Sequence, residues 1–390
     1  MDPCRRVVPS PGHRGAGRPG DAAGDDVTIP LATRADELRA LSELRARMRA
    51  EGLDRQSPAL ALAVLGLHVA IMAGGLAVYL LAEAWWIRAI GLLASTYGTL
   101  GIGMTAHNAS HTAVTGWKRV DRALTHLTAT AIIGVSASYW WKKHVRLHHA
   151  GPNHVGLDVD IELMPVFALS AEERAAARGW PARLYRVQHW IFPFAVGLNL
   201  LNLKLHGVQH LVAELRSARG WRATVWADIG CLGAHLAAFV LLPALVWPLG
   251  QVMAFYLLRE VLNGYALFAA AAPAHFPAEA CLVRSQRGGR GLLAGQIHTT
   301  VSFRTGLLGR LVCLGAEYQI EHHLLPDANP LRMRRVSVLV QEFCRRHGYP
   351  YRCFGWGRGI VKALVSVREP KRIYALGDLG GAEAGSAEPA

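Results

Sequence analysis

Charge is scarce in this chain, and it is missing altogether from several long stretches. Of 390 residues, 28 are Asp or Glu and 42 are Lys or Arg, so charged residues make up only 18% against 52% hydrophobic ones. A composition so apolar, and so unevenly distributed, excludes an ordinary soluble protein. Cys4, Cys231, Cys281, Cys313, Cys344 and Cys353 form no CxxC pair and keep no regular spacing. They read as reduced thiols rather than a disulfide frame. Residues 1–57 contain no apolar h-region, so no secretory signal peptide is expected. The one GxGxxG, Gly15 to Gly20, has no strand before it and no helix after it, which excludes it as a nucleotide loop.

What the chain does have is long uncharged runs. Residues 58–82 and 89–106 carry no charge, and Glu83 to Arg88 between them holds Trp85 and Trp86 at interface depth. A second pair, 229–247 and 252–274, breaks at Pro248-Leu249-Gly250. Each pair reads as a membrane hairpin. The net charge of +14 sits in the polar segments outside the hairpins. By the positive-inside bias this puts both termini and residues 116–222 on the cytoplasmic side. The excess charge is a membrane-side signal, and no nucleic-acid partner is expected. Two shorter runs, 123–140 and 187–203, are read as interfacial or re-entrant, because basic residues flank the first at both ends. Arg259-Glu260 lies inside the fourth span, where a charge is costly unless paired or facing a cavity.

The fold expected is all-α integral membrane: four transmembrane helices in two hairpins, with a cytosolic helical cap holding a di-metal site. Residues 1–33 and 377–390 read as disordered tails. Residues 34–57 read as an amphipathic or cytosolic helix, and 58–376 as the membrane domain.

Histidine is the residue the chain concentrates, with 18 in all. His107 and His111 follow the second run, and spacing i, i+4 on a helix projects both from one face, about 6 Å apart along the axis. His144 and His148 repeat that spacing, and His149 adds a neighbour pointing elsewhere. His275 ends the fourth run. His322 and His323 follow Gln319, and adjacent side chains on a helix diverge by about 100°. Eight histidines from four places exceed the three or four ligands of one zinc site and imply two metals. Imidazole alone leaves iron, copper, zinc and nickel open, and the HExxH of zinc proteases is absent. His298 is a further candidate. His206/His210 reads as a chance surface pair, and His68 and His235 as core residues within spans. A lone HxxxH is weak, whereas HxxxH, HxxxHH and QxxHH divided by two hairpins are not accounted for by packing.

Together these boxes, their order and the four-run layout resemble the membrane fatty-acid desaturase family, over roughly residues 55–350. The match is strongest from Gly315 to Pro326, from Trp141 to Asn153, and through Asp158-Val159-Asp160. The resemblance implies iron ligation by His107, His111, His144, His148, His149, His275, His322 and His323, as a non-haem di-iron centre that desaturates a long acyl chain with dioxygen as co-substrate. It makes Gln319 either a further ligand or a residue that supports one, and Asn153, Asp158 and Asp160 a supporting loop motif. Asn108 stands where many relatives carry Asp, and Ser302 where Asn is common; both bear on substrate and outcome. The substrate implied is an acyl lipid, acyl-CoA or acyl-carrier protein, held in an apolar channel that Gly101, Gly103 and the 269–274 alanine run could line. The chain has no flavin or nicotinamide motif and no HPGG haem motif. Two electrons must therefore come from an external ferredoxin or small b-type haem protein with its reductase, which Arg332, Arg334, Arg335, Arg345 and Arg346 could dock. A hydroxylase or ketolase of lipids or carotenoids is the same-chemistry alternative. A metal transporter would carry histidines along a mid-membrane path instead of at span ends, and a purely structural protein would have no use for the boxes.

Overall fold

A computed structural model describes residues 33–217, 222–284 and 291–376. The glycine motif at 15–20 and the tail from 377 lie outside them, as does the N-terminal tail apart from Thr33. The first helix, α1 (Arg34–Ala50), starts at a capping box in which Thr33 and Asp36 satisfy each other's backbone N–H. Pro58 at the first turn opens α2 (Pro58–Leu81), and α3 (Trp85–Ser110) returns antiparallel to it. They pack closely because a Cβ at Gly75 or Gly98 would meet the partner's backbone at 2.5 Å. Gly101 is filled over by the buried His68 ring, so at this position α3 packs a neighbour instead of lining a channel.

Next, α4 (Lys118–Thr125) runs on as a π-helical stretch, His126–Ile133, and stops at Gly134, whose φ of 91° favours glycine. After a short turn, α5 (Ala137–Trp140) runs on as a second π-helical stretch, Trp141–His148. The run 123–140 is thus two helices meeting at a turn, not a straight span. Downstream, α6 (Ala171–Ala176) is capped by Ser170 and Glu173. The helices α7 (Gly179–Gly197) and α8 (Asn199–Arg216) meet at 67°, which fits a broken or re-entrant course for residues 187–203.

The second hairpin is α9 (Ala223–Leu236), continued by π-helical Ala237–Leu241 and α10 (Leu242–Ala244), followed by α11 (Leu249–His275). Among the described residues four helices are long and apolar enough to cross a membrane, in the two expected hairpins. Arg259 and Glu260 are both buried and paired at 2.7 Å, and Lys204 of α8 joins them 2.7 Å from the other Glu260 oxygen. The expected pair is therefore a triad drawn from two elements.

After His275 the chain builds a cap from short pieces. They are β1 (Leu282–Arg284), α12 (Leu292–His298), β2 (Ser302–Arg304), α13 (Leu307–Cys313), α14 (Gln319–Leu324), α15 (Met333–His347), β3 (Cys353–Gly355), α16 (Trp356–Arg368) and β4 (Ile373–Ala375). Strands β1 and β4 pair in parallel, as do β2 and β3. The N-terminal helix belongs to the same core: Ala40, Leu44, Met48 and Leu53 pack with Ile320, Leu324 and Leu325 around α14. Each large apolar side chain buried there contributes about 1.5–3 kcal/mol. Two ion pairs, Arg47–Glu342 at 2.9 Å and Arg45–Asp327 at 3.2 Å, tie α1 to the rest of the cap. Cys231, Cys313 and Cys344 are free thiols.

Candidate metal centre

Four elements deliver the eight histidines. The end of α3 carries His107, with His111 just past it; the stretch after α5 carries His144, His148 and His149; α11 ends on His275; and α14 supplies His322 and His323. They converge into two adjoining groups. In each group, every residue offers a ligand atom within 4.8 Å of all the others. One group is His107, His111, His144, His149 and His322; the other is His148, His275 and His323.

The partition differs from the one expected by α-helical spacing. His144 pairs with His149, not with His148, because the segment is π-helical and the His149 N–H donates to the His144 carbonyl five residues back. His148 then turns to the second group. His322 and His323 do diverge, one into each group.

The chemistry of the donor set fits metal ions. The His149 Nε2 lies 3.2 Å from His144 Nε2 and 3.1 Å from His322 Nε2. His111 Nε2, His275 Nδ1 and both nitrogens of His323 are buried with no hydrogen-bond partner. Orphaned buried nitrogens facing one another are costly unless a cation or shared proton joins them. Protonation is disfavoured, since burial holds His111, His144, His149, His322 and His323 well below the ordinary histidine range, and neighbouring imidazoles add to the shift. Neutral imidazole is the form that ligates.

The surrounding residues set the ring orientations. The carboxylate of Asp158 accepts from His148 Nδ1 at 2.9 Å, which leaves Nε2 for the cluster. Asp158 also accepts the Asn153 N–H at 2.8 Å, and Asn153, with φ of 56°, aims its amide at the carbonyls of His275, Ala280 and Thr299. Asp160 lies 3.6 Å from His148 Nδ1 and pairs with Lys143. Asn108 keeps an orienting role without a charge, its Oδ1 standing 3.3 Å from His107 Nδ1 while Nδ2 donates to Leu314 O. Gln319 donates to Ala316 O at 2.8 Å and reaches His275 with its side-chain amide, beside the three-histidine group.

His298 is buried but stands apart, its ring 6.5 Å from that of Tyr349. His206 and His210 flank Tyr139, and His235 hydrogen-bonds Tyr256 at 2.8 Å; neither group meets the cluster.

Three supports were not expected from sequence. Glu321 is fully buried behind α14, where Ser302 Oγ donates at 2.9 Å and Tyr351 OH also donates. A lone carboxylate between the apolar Ile320 and the ligand His322, in a stretch otherwise apolar or ligating, is the signal available at this position. Lys371 donates to His275 O at 2.9 Å and Ala280 O at 2.6 Å, placing a cation at the C-terminus of α11. Burial pushes that ammonium down to about 7. Glu317 accepts the Gly315 N–H at 3.0 Å, and burial pushes its carboxyl up to about 7.

Residues 83–355 match the family model described as fatty acid desaturase. Among individual proteins, the chain is 26% identical over 332 residues to a Delta(5) fatty acid desaturase of Caenorhabditis elegans, which covers 80% of this chain and 69% of that one. It is 27% identical over 226 residues to a Delta(8)-fatty-acid desaturase of Euglena gracilis, 56% and 52% of the two chains. It is 25% identical over 305 residues to human fatty acid desaturase 3, 77% and 65% of the two. The chain therefore spans about half to just over two thirds of the length of these relatives. With a matched region that holds all eight clustered histidines, the chain belongs to the fatty acid desaturase family.

Proposed function

We propose that this protein is an integral membrane desaturase that introduces a double bond into a long acyl chain. In this reading His107, His111, His144, His149 and His322 hold one iron ion, and His148, His275 and His323, with Gln319 beside them, hold a second. The observation that carries it is the convergence of eight imidazoles into two adjoining groups with orphaned nitrogens facing inward. Iron bound there, with dioxygen and two external electrons, supplies the chemistry that removes two hydrogens from an unactivated chain.

The protein's own part is placement. Burial keeps the imidazoles neutral, Asp158 and Asn108 fix the His148 and His107 rings, and the cap over α14 excludes water. Holding one methylene pair in register matters most, since misplacement of about 1 Å can cost on the order of a hundredfold in rate.

The basic segments outside the hairpins favour a cytoplasmic site and termini. The electron donor is an external ferredoxin or small b-type haem protein. Of the basic residues proposed for its dock, Arg332 is already committed to Gly52 O and Arg346 to Glu342, so the exposed Arg335 is the better candidate. The relatives' names agree on fatty acid desaturation and differ in position, so no position is carried over. The acyl carrier stays open among lipid, coenzyme A and carrier protein.

Expression with a donor and reductase in a host lacking the activity, followed by mass spectrometry of total acyl chains, tests the reading. A new unsaturated species, absent with His148→Ala, supports it. Hydroxylated chains or oxidised carotenoids alone would replace desaturation with the hydroxylase or ketolase reading.

A further inference from the structure

The chain buries a carboxylate that the iron site does not use. Asp228 lies near the start of α9, is fully buried, and sits beside the turn between Gly134 and Ser138. Its two oxygens collect six donors. Oδ1 accepts from His126 Nδ1 at 2.9 Å, Thr130 Oγ1 at 3.0 Å and the Ala137 N–H at 3.0 Å. Oδ2 accepts from Ser136 Oγ at 2.7 Å, the Ser138 N–H at 2.9 Å and Ser138 Oγ at 2.6 Å. Two of these donors are the first backbone N–H groups of α5, so Asp228 caps that helix from a different helix, about 90 residues away in sequence.

The opposite side of the same turn is capped by a cation. The stretch before Gly134 ends on carbonyls without intrahelical partners, and Arg259 of α11 donates to Ile132 O at 3.3 Å. His235 of α9 fills the space at Gly134, where a Cβ would meet its ring at 2.7 Å. The signs match the helix dipoles: an anion at the start of α5, a cation at the end of the helix before it. A turn placed among apolar helices has no water to satisfy these groups, so the membrane helices must do so.

We propose that Asp228, seconded by Arg259, is the positioning residue for His144, His148 and His149. It fixes the turn from which their helix starts, and so sets where these three rings stand against those of α3, α11 and α14. His144 is seven residues beyond Ala137, about 10 Å at ordinary helical rise, so Asp228 acts through the helix and not as a ligand. The same start is held locally by Ser136 Oγ, which accepts the Tyr139 N–H at 3.2 Å and itself donates to Asp228, so this cap too depends on the carboxylate. This rests on reading the histidine cluster as a metal centre.

The test is titration of the purified, metal-free full chain with Co2+, read by ligand-field absorption, alongside thermal unfolding. Wild-type protein that binds no Co2+ overturns the metal-centre reading itself. If it binds, Asp228→Asn is expected to weaken Co2+ by ten- to a hundredfold, the usual effect of losing an outer support, and to change the absorption spectrum. Gln188→Ala is the control. Gln188 is a buried clamp whose hydrogen bonds go to Ala168 and Val367 and to no residue of the turn, so its loss lowers the unfolding temperature and leaves the spectrum unchanged. Ser138→Ala removes one side-chain donor and is expected to weaken Co2+ by a few-fold, which decides the matter if Asp228→Asn does not fold. Unchanged Co2+ affinity in Ser138→Ala, or equal losses in Asp228→Asn and Gln188→Ala, would overturn the proposal.

Discussion

His144 and His149, five residues apart, bring their Nε2 atoms to 3.2 Å of each other, while His148, four residues from His144, turns into the neighbouring group. The π-helical backbone is what makes this division. Inserting one residue's worth of slack per turn puts i and i+5 on one face. Deleting a residue between Trp141 and His144 should return the segment towards α-helical pairing and remove metal from one group while leaving the hairpins inserted. Metal analysis and protease protection of the membrane-inserted protein check this, and full metal content would contradict it.

The Asp158–His148 contact sets the ring's tautomer. Asp158→Asn keeps the shape and removes the charge, so metal affinity or activity should fall about ten- to a hundredfold. Asp158→Ala should cost more, because Asn153 would also lose an acceptor for its N–H. Equal activity in Asp158→Asn and wild type would show that the charge has no orienting role.

Behind α14, Tyr351→Phe leaves the buried Glu321 with one donor fewer. The expected cost is about 1–3 kcal/mol of unfolding free energy, the usual penalty for a stranded buried polar group. Burial already raises the carboxyl's pKa, so the variant should also shift Glu321 further towards its neutral form. Unfolding of detergent-solubilised protein measures the first effect, and a carboxyl band in difference infrared spectra the second.

Metal-free protein should lose stability on acidification. Burial depresses His144, His149, His322 and His323 in the folded state. The unfolded chain therefore binds more protons once pH falls below about 6.5, and stability declines from there towards the folded pKa values. Above that pH the histidines contribute no slope, and a shallower rise remains from the Lys371 ammonium, which burial holds down to about 7. Unfolding midpoints measured between about pH 5 and 8 check the sign, and rising stability on acidification would contradict it.

The spans are legible in the sequence because uncharged runs of membrane length are costly to expose to water and rare outside a bilayer. The eight histidines are legible because their boxes end those runs. The division of the histidines is not legible, since spacing is read with an α-helical period and the backbone here is π-helical. Lys371, Asp228 and Tyr351 are not legible either. Each acts on a residue between 30 and about 100 positions away, and neither spacing nor composition encodes such contacts. Gly101 reads as channel lining because a missing side chain looks like space, whereas the structure fills that space with His68.

The central claim is that two adjoining histidine groups hold two separate iron ions. Iron-to-protein stoichiometry, measured on purified wild-type protein and on His111→Ala and His323→Ala, tests it most directly. Two irons per chain in wild type, with one lost when the three-histidine group is broken by His323→Ala, is the predicted result. A single iron in wild type, or two retained in both variants, would contradict it.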